Sequence, residues 1–146
     1  MNDLEANKAL VRRSLEDIYN GGNVAAIPEV FSEDFVGWDP TFPNGELRGH
    51  AGIRGNVERG HQSFSGWRFA IEDMIAEGDK VLVRIVMYAQ HTSPFLGRPV
   101  SGANLEVSGM TLNRIADGRI VERWGNWNTI GMLQQMGMLP PLDQIG

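Results

Sequence analysis

Leu4, Val11, Leu15 and Ile18 recur at helical spacing behind a polar start in which Asn2 or Asp3 can cap. This pattern predicts a first helix that ends at "NGGN", residues 20–23, where a glycine takes the left-handed cap. A shorter helix is expected around "VAAIPEVF", with Pro28 breaking it or opening its second half. "DFVGWDPTFPNGELRG" reads as a strand and then a Pro/Gly loop. "HAGIRGNVERGHQSF" puts Ile53, Val57, His61 and Phe64 on one helical face, although its glycines weaken that helix.

From Trp67 the period changes to two. "WRFAIEDMIA" turns at "EGDK" into "VLVRIVMYAQH", and a loop, "TSPFLGRPVSG", leads to "ANLEVSGMTLNRI". Asp117-Gly118 is a hairpin turn into the last strand, "RIVERWGNWN", and a closing helix from Thr129 to Met136 stops at Gly137. The order is helices, one strand, a helix, then an antiparallel meander. That is an α+β fold in which helices cover one face of a curved sheet. Parity places Val83, Ile85, Met87, Ala89 and His91 on the inner face of one strand, and Leu82, Val86 and Tyr88 on its outer face.

Composition narrows the picture. A chain of 146 residues fits a single domain, 1–146, and buries roughly 70% of its extended surface. With 42% apolar and 21% charged residues it has the make-up of an ordinary globular chain. The absence of cysteine rules out disulfides, thiolate zinc sites and cysteine nucleophiles, and suits a cytoplasmic protein. No apolar run approaches the ~20 residues of a membrane span, and the polar "MNDLEANKAL" is no signal peptide. A net charge of −5 without a basic, aromatic-interleaved run argues against nucleic acid. His50 and His61, eleven residues apart on a helix and so about 16 Å apart, cannot share a metal. Neither a metal nor a cofactor is expected.

The segments "GDKVLVR", "HTSPFLGRPVSG", "RIADGRIVERW" and "IGMLQQMG", with "YNGGNVAAIPEVFSEDFVGWDP" upstream, resemble in order and spacing the SnoaL-like polyketide cyclases of the nuclear-transport-factor-2-like superfamily. The resemblance covers nearly the whole chain. It implies a cone, a strongly bent sheet wrapped around helices with one apolar pocket, and often a homodimer through the outer sheet face. It also implies a small, flat, hydrophobic ligand of polyketide or steroid type. Function is less determined, because the superfamily hosts cyclases, isomerases, hydrolases and pure binding proteins.

In the aldol-cyclising members, the last strand carries an aspartate as general acid/base three residues after the acidic residue that matches Glu122, and the neighbouring strand carries a histidine. Those positions are Gly125 and Thr111 here. The resemblance therefore implies feeble aldol cyclisation, unless another carboxylate fills the space a side chain at Gly125 would have taken. Some members without the usual acid are linked to anthracycline ring hydroxylation. In the related ketosteroid isomerases the catalytic base has a "DP" context similar to Asp39-Pro40. Their acidic donor and tyrosine align with Met110 and Leu15, so enolisation would lack its electrophile.

Asp39 is thus the first catalytic candidate. A carboxylate at a pocket mouth between Trp38 and Phe42 loses hydration, which makes it a usable proton acceptor. "DP" is equally an ordinary turn start. His91 is the second candidate, either at the pocket rim or bonded to loop backbone and steadying "TSPFLGRP". Arg123, Gly125 and Trp127 share the inward face of the last strand, with room beside Trp127 for a flat ring; Trp124 faces out, towards a dimer partner. A bulge at Gly125 would exchange the two indoles. Trp38, Met87, Thr111, Arg123, Trp127 and Asn128 are the expected substrate contacts. A cavity containing Asp39 favours an enzyme. A dry pocket with Asp39 in solvent favours a binding protein, and a filled cone leaves a dimerising interaction module.

Overall fold

The computed structural model describes residues 3–94 and 99–144; the alternative cap Asn2 and residues 95–98 of the long loop fall outside them. Helix α1 (Leu4–Arg13) is capped by Asp3, whose carboxylate accepts from the Ala6 N–H at 3.0 Å. It continues through Ser14–Asn20 with wider, i→i+5 turns, and buries Val11, Leu15, Ile18 and Tyr19. Leu4, expected on that face, stays exposed. Pro28 opens the short α2 (Ile27–Val30), at a position whose N–H would have no helical partner.

Strand β1 (Phe31–Trp38) stops before Pro40, which has no N–H to donate to a ladder. The chain returns through left-handed Asn44 and Gly45 into β2 (Glu46–Arg48). Helix α3 (Gly49–Ser63) forms despite its glycines. A Cβ at Gly60 would stand 2.3 Å from the Trp67 indole, so this glycine lets the ring lie flat on the helix. Phe64, expected on the same helical face, instead opens β3 (Phe64–Glu77). β4 (Lys80–His91), β5 (Asn104–Ala116) and β6 (Arg119–Trp127) complete the meander.

The six strands form one sheet in the order β2-β1-β6-β5-β4-β3, in which β1 and β6 run parallel and the other neighbours antiparallel. Irregularities in β3 after Ser65 and Ile71 bend its long strand. Alternate residues of β4 enter the concave face, where Val81, Val83 and Ile85 are wholly buried; each such side chain stabilises the fold by about 1.5–3 kcal/mol. The β5–β6 hairpin turns at Asp117 (φ 51°) and Gly118 (φ 73°). Pairing of β5 with β6 is unbroken through Thr111↔Gly125, so Gly125 marks no bulge and the expected inward set of Arg123, Gly125 and Trp127 holds. Helix α4 (Thr129–Gln135) ends as expected. The Gly137 and Met138 N–H groups bond back to the carbonyls of Gln134 and Leu133, with Gly137 left-handed. Among the described residues no helix is long and apolar enough to cross a membrane.

Candidate functional site

Between the concave sheet face and the helices lies an apolar cavity of about 160 Å³. That is close to the roughly 150 Å³ of an engineered cavity that takes one benzene ring. One wall is a run of touching aromatics. Tyr19 meets Trp67 and Phe69 with ring centroids 5.9 and 5.7 Å away, and Phe69 meets Trp127 at 5.5 Å. A Cβ at Gly109 would stand 2.3 Å from the Trp127 ring, so this cross-strand glycine lets the indole lie over β5. Ile85, Met87 and Val107 form the floor, and exposed Thr41 with half-buried Phe42 and Thr129 rim the opening.

The polar corner is built where β1 runs out beside β6. Asp39 is 6% exposed. Its Oδ1 accepts two bonds from Thr41, from the N–H at 2.8 Å and the hydroxyl at 2.7 Å. The turn is closed by the Phe42 N–H donating to the Asp39 carbonyl at 3.0 Å. Oδ2 has no hydrogen-bond partner among the described residues and lies 3.2 Å from where a Cβ at Gly125 would stand. The register explains this: Gly37 pairs with Arg123 and Trp38 with Trp124, so the next inward pair is Asp39 beside Gly125. The turn reading of "DP" accounts for Oδ1 and leaves Oδ2 facing the cavity. A carboxylate oxygen thus lies beside the space that a side chain at Gly125 would take, while Thr111 still stands where the resemblance implies a histidine. Thr111, paired with Gly125, accepts from the Asn113 amide at 3.1 Å and keeps its own hydroxyl proton for another partner.

Two residues before Gly125 on the same face, Arg123 is 9% exposed and donates to the Tyr19 hydroxyl at 3.0 Å. Tyr19 donates in turn to the Asn56 Oδ1 at 2.9 Å. The guanidinium also lies 5.3, 5.9 and 5.5 Å from the ring centres of Tyr19, Phe31 and Phe35. Each such contact is worth about 0.5–2 kcal/mol, against several kcal/mol for removing the ion from water. The wide turns of the first helix are held in place from two sides. The Asn20 amide pairs with both backbone groups of Phe69 at 2.7 and 2.8 Å, and the His61 Nε2–H donates to the Tyr19 carbonyl at 2.7 Å.

Asp39, Trp38, Met87, Thr111, Arg123 and Trp127 all line the cavity; His91 and Asn128 do not. Val83, the β4 partner of Thr111, is eight residues before His91, so the ring is roughly 26 Å along the strand from the Asp39 corner. It is 1% exposed, and Nδ1 accepts from the Ser101 N–H at 3.2 Å, which ties down the long loop. Asn128 is exposed and caps α4, accepting from the Gly131 N–H at 3.0 Å. The Trp38 ring is stacked on Trp124 with centroids 5.3 Å apart. Sequence reasoning missed Tyr19 and Asn56. Tyr19 lies four residues after Leu15, and Asn56 three after Ile53, and neither belongs to the helical faces read from the spacing. Among the described residues no group of three or more His, Asp or Glu side chains has a metal-site arrangement.

The sequence model of the SnoaL-like polyketide cyclases matches residues 9–136. The chain belongs to that family. No curated protein matches it. Several SnoaL-like structures share its fold. TsrD from Streptomyces laurentii aligns at a TM-score of 0.83 and 24% identity, over 95% of this chain and 100% of its own. AclR from Streptomyces galilaeus, to which a hydroxylase activity is ascribed, aligns at 0.82 and 24%, over 98% and 92%. IdmH from Streptomyces antibioticus, to which polyketide cyclisation is ascribed, aligns at 0.79 and 26%, over 90% and 98%. The six-stranded cone is thus the nuclear-transport-factor-2-like fold of these relatives.

Proposed function

We propose that this SnoaL-like protein is an acid/base enzyme for a flat, largely apolar, polyketide- or steroid-like substrate, with Asp39 as the proton-transferring group. The observation that carries the reading is the free Oδ2 of Asp39 over Gly125, inside an aromatic-walled cavity. In a cyclisation, Oδ2 takes the proton from a carbon next to a carbonyl. The resulting carbanion attacks a second carbonyl of the same molecule, and a C–C bond forms as the C=O π bond opens. The alkoxide then recovers the proton from Asp39, so the product is an isomer of the substrate. In an isomerisation the proton returns to a different carbon. Such a group contributes about 10²–10⁴-fold. Assisted ring hydroxylation is the second chemistry considered for this corner; AclR is described as a hydroxylase.

The test is turnover of an open-ring polyketide methyl ester, followed by mass spectrometry, with the wild type and Asp39→Asn. An isomeric product from the wild type alone supports the reading, and a product heavier by one oxygen redirects it to hydroxylation. Equal turnover by the two proteins overturns the role of Asp39, and turnover by neither overturns the reading and leaves a binding protein. Homodimerisation belongs to the same reading. The convex face exposes Ile75, Leu82 and Met110 on β3, β4 and β5, with half-buried Val86 and Tyr88 further along β4. A single monomeric species in sedimentation at micromolar concentration would remove that part.

A further inference from the structure

We infer that the ligand of this cavity carries an anionic oxygen on its ring system and that Arg123 holds it. The inference rests on the cavity being a ligand site, as proposed above, and adds what that ligand carries. Arg123 carries a guanidinium with five N–H donors in a planar fork. One donor is used on the Tyr19 hydroxyl. Tyr19 gives its own proton to Asn56 and is neutral, so it does not balance the charge. The faces of Tyr19, Phe31 and Phe35 attract the cation but offer no lone pairs to the remaining N–H groups.

Among the described residues Arg123 forms no ion pair; the pairs that exist involve other residues. Asp39 is on the same face, yet its Oδ1 is occupied by Thr41 and its Oδ2 points over Gly125. A cation nine-tenths buried, lining a cavity and without a counter-ion among the described residues, suits an anionic ligand. The planar fork of guanidinium suits a carboxylate, and an ionised phenol or enol oxygen takes the same place end-on. The spacing fits the acid/base reading. Two residues along β6 separate Arg123 from the Gly125 position, about 7 Å, which a single substituted ring spans. A ligand anchored by its acidic oxygen on Arg123 presents the carbon across the ring to Asp39.

Calorimetry with naphthalene-2-carboxylate, its neutral carboxamide and 2-naphthol tests this without reference to turnover. The wild type should bind the carboxylate at least tenfold more tightly than the amide. Arg123→Gln should reduce that preference to near unity with little change for the amide, and Arg123→Lys should retain part of it. The preference should survive in Asp39→Asn, so its loss cannot be confused with failure of the catalytic reading. Tightening of 2-naphthol above its own ionisation, absent in Arg123→Gln, would assign the phenolate; no such tightening assigns the carboxylate. Equal binding of acid and amide by the wild type, no binding of either, or a preference unchanged in Arg123→Gln would each overturn the inference.

Discussion

Asp39 and His91 give the same signal in the sequence, a titratable side chain where an apolar strand runs out, and the fold treats them in opposite ways. Both are buried, at 6% and 1% exposure. Asp39 uses one oxygen to make its turn and turns the other into the cavity. The His91 ring is closed in against Phe64 and the Ser101 end of the loop, with Nδ1 accepting and Nε2 sealed away without a partner among the described residues. The difference lies in what faces each group. β1 ends beside a glycine on β6, which leaves open volume, whereas β4 ends beside residues 101–103, which bond back to His91. A buried polar group becomes available for chemistry only where a neighbour has withdrawn its side chain.

The sharpest test of that contrast is Asp39→Asn. The amide keeps the oxygen that accepts from Thr41 and loses only the proton acceptor. Activity should fall by about 10²–10⁴-fold with an unchanged melting temperature. Activity within twofold of wild type would place Asp39 with His91 among the purely structural groups.

A relocation experiment asks whether the vacated space itself matters. Gly125 has no left-handed backbone, so a side chain is allowed there once the Asp39 carboxylate is removed. The double variant Asp39→Ala with Gly125→Asp should recover about 10–100-fold over Asp39→Ala alone, because the acid returns to the same space from β6. No recovery in a folded double variant would show that the position of Oδ2 is not what matters.

Local pattern made most of the fold legible. The helical stripe, the period-two strands, the Asp117-Gly118 turn and the Gly137 stop each depend on near neighbours in the chain. Inward parity on β6 was readable for the same reason, and so was the membership of Arg123 and Trp127 in the cavity wall. The meeting of Asp39 with Gly125 was not, because it depends on the register of two parallel strands that are far apart in sequence. The wide turns at Ser14–Asn20, which bring Tyr19 to Arg123, carry no signal in a 3.6-residue reading. Asn128 was misplaced because the same side chain that suits a pocket also caps a helix, and only the backbone beyond it decides.

Removing the other member of the contrast should move stability and leave chemistry alone. His91→Ala deletes the acceptor of the Ser101 N–H and opens a space beside Phe64. The expected loss is about 1–3 kcal/mol, read as a lowered denaturation midpoint, with kcat unchanged. A fall in kcat comparable to that of Asp39→Asn would mean that the far end of β4 takes part after all.

The smallest expected effect separates the two oxygens of Asp39 from each other. Thr41→Val has nearly the same shape and keeps the backbone N–H bond to Oδ1, but removes the hydroxyl bond at 2.7 Å. Oδ2 and its distance to Gly125 are untouched. One bond to a charged acceptor at a partly exposed turn contributes on the order of 1 kcal/mol, so a small drop in stability is expected. The carboxylate would also be less firmly held, and a looser aim reduces transfer efficiency without removing the base. Activity should therefore fall by a factor of roughly 2–10, with the pH profile keeping its shape. If Thr41→Val equalled Asp39→Asn in its loss of activity, the Thr41 hydroxyl would itself be part of the proton path. The assignment of turn-making to Oδ1 and chemistry to Oδ2 would then be wrong.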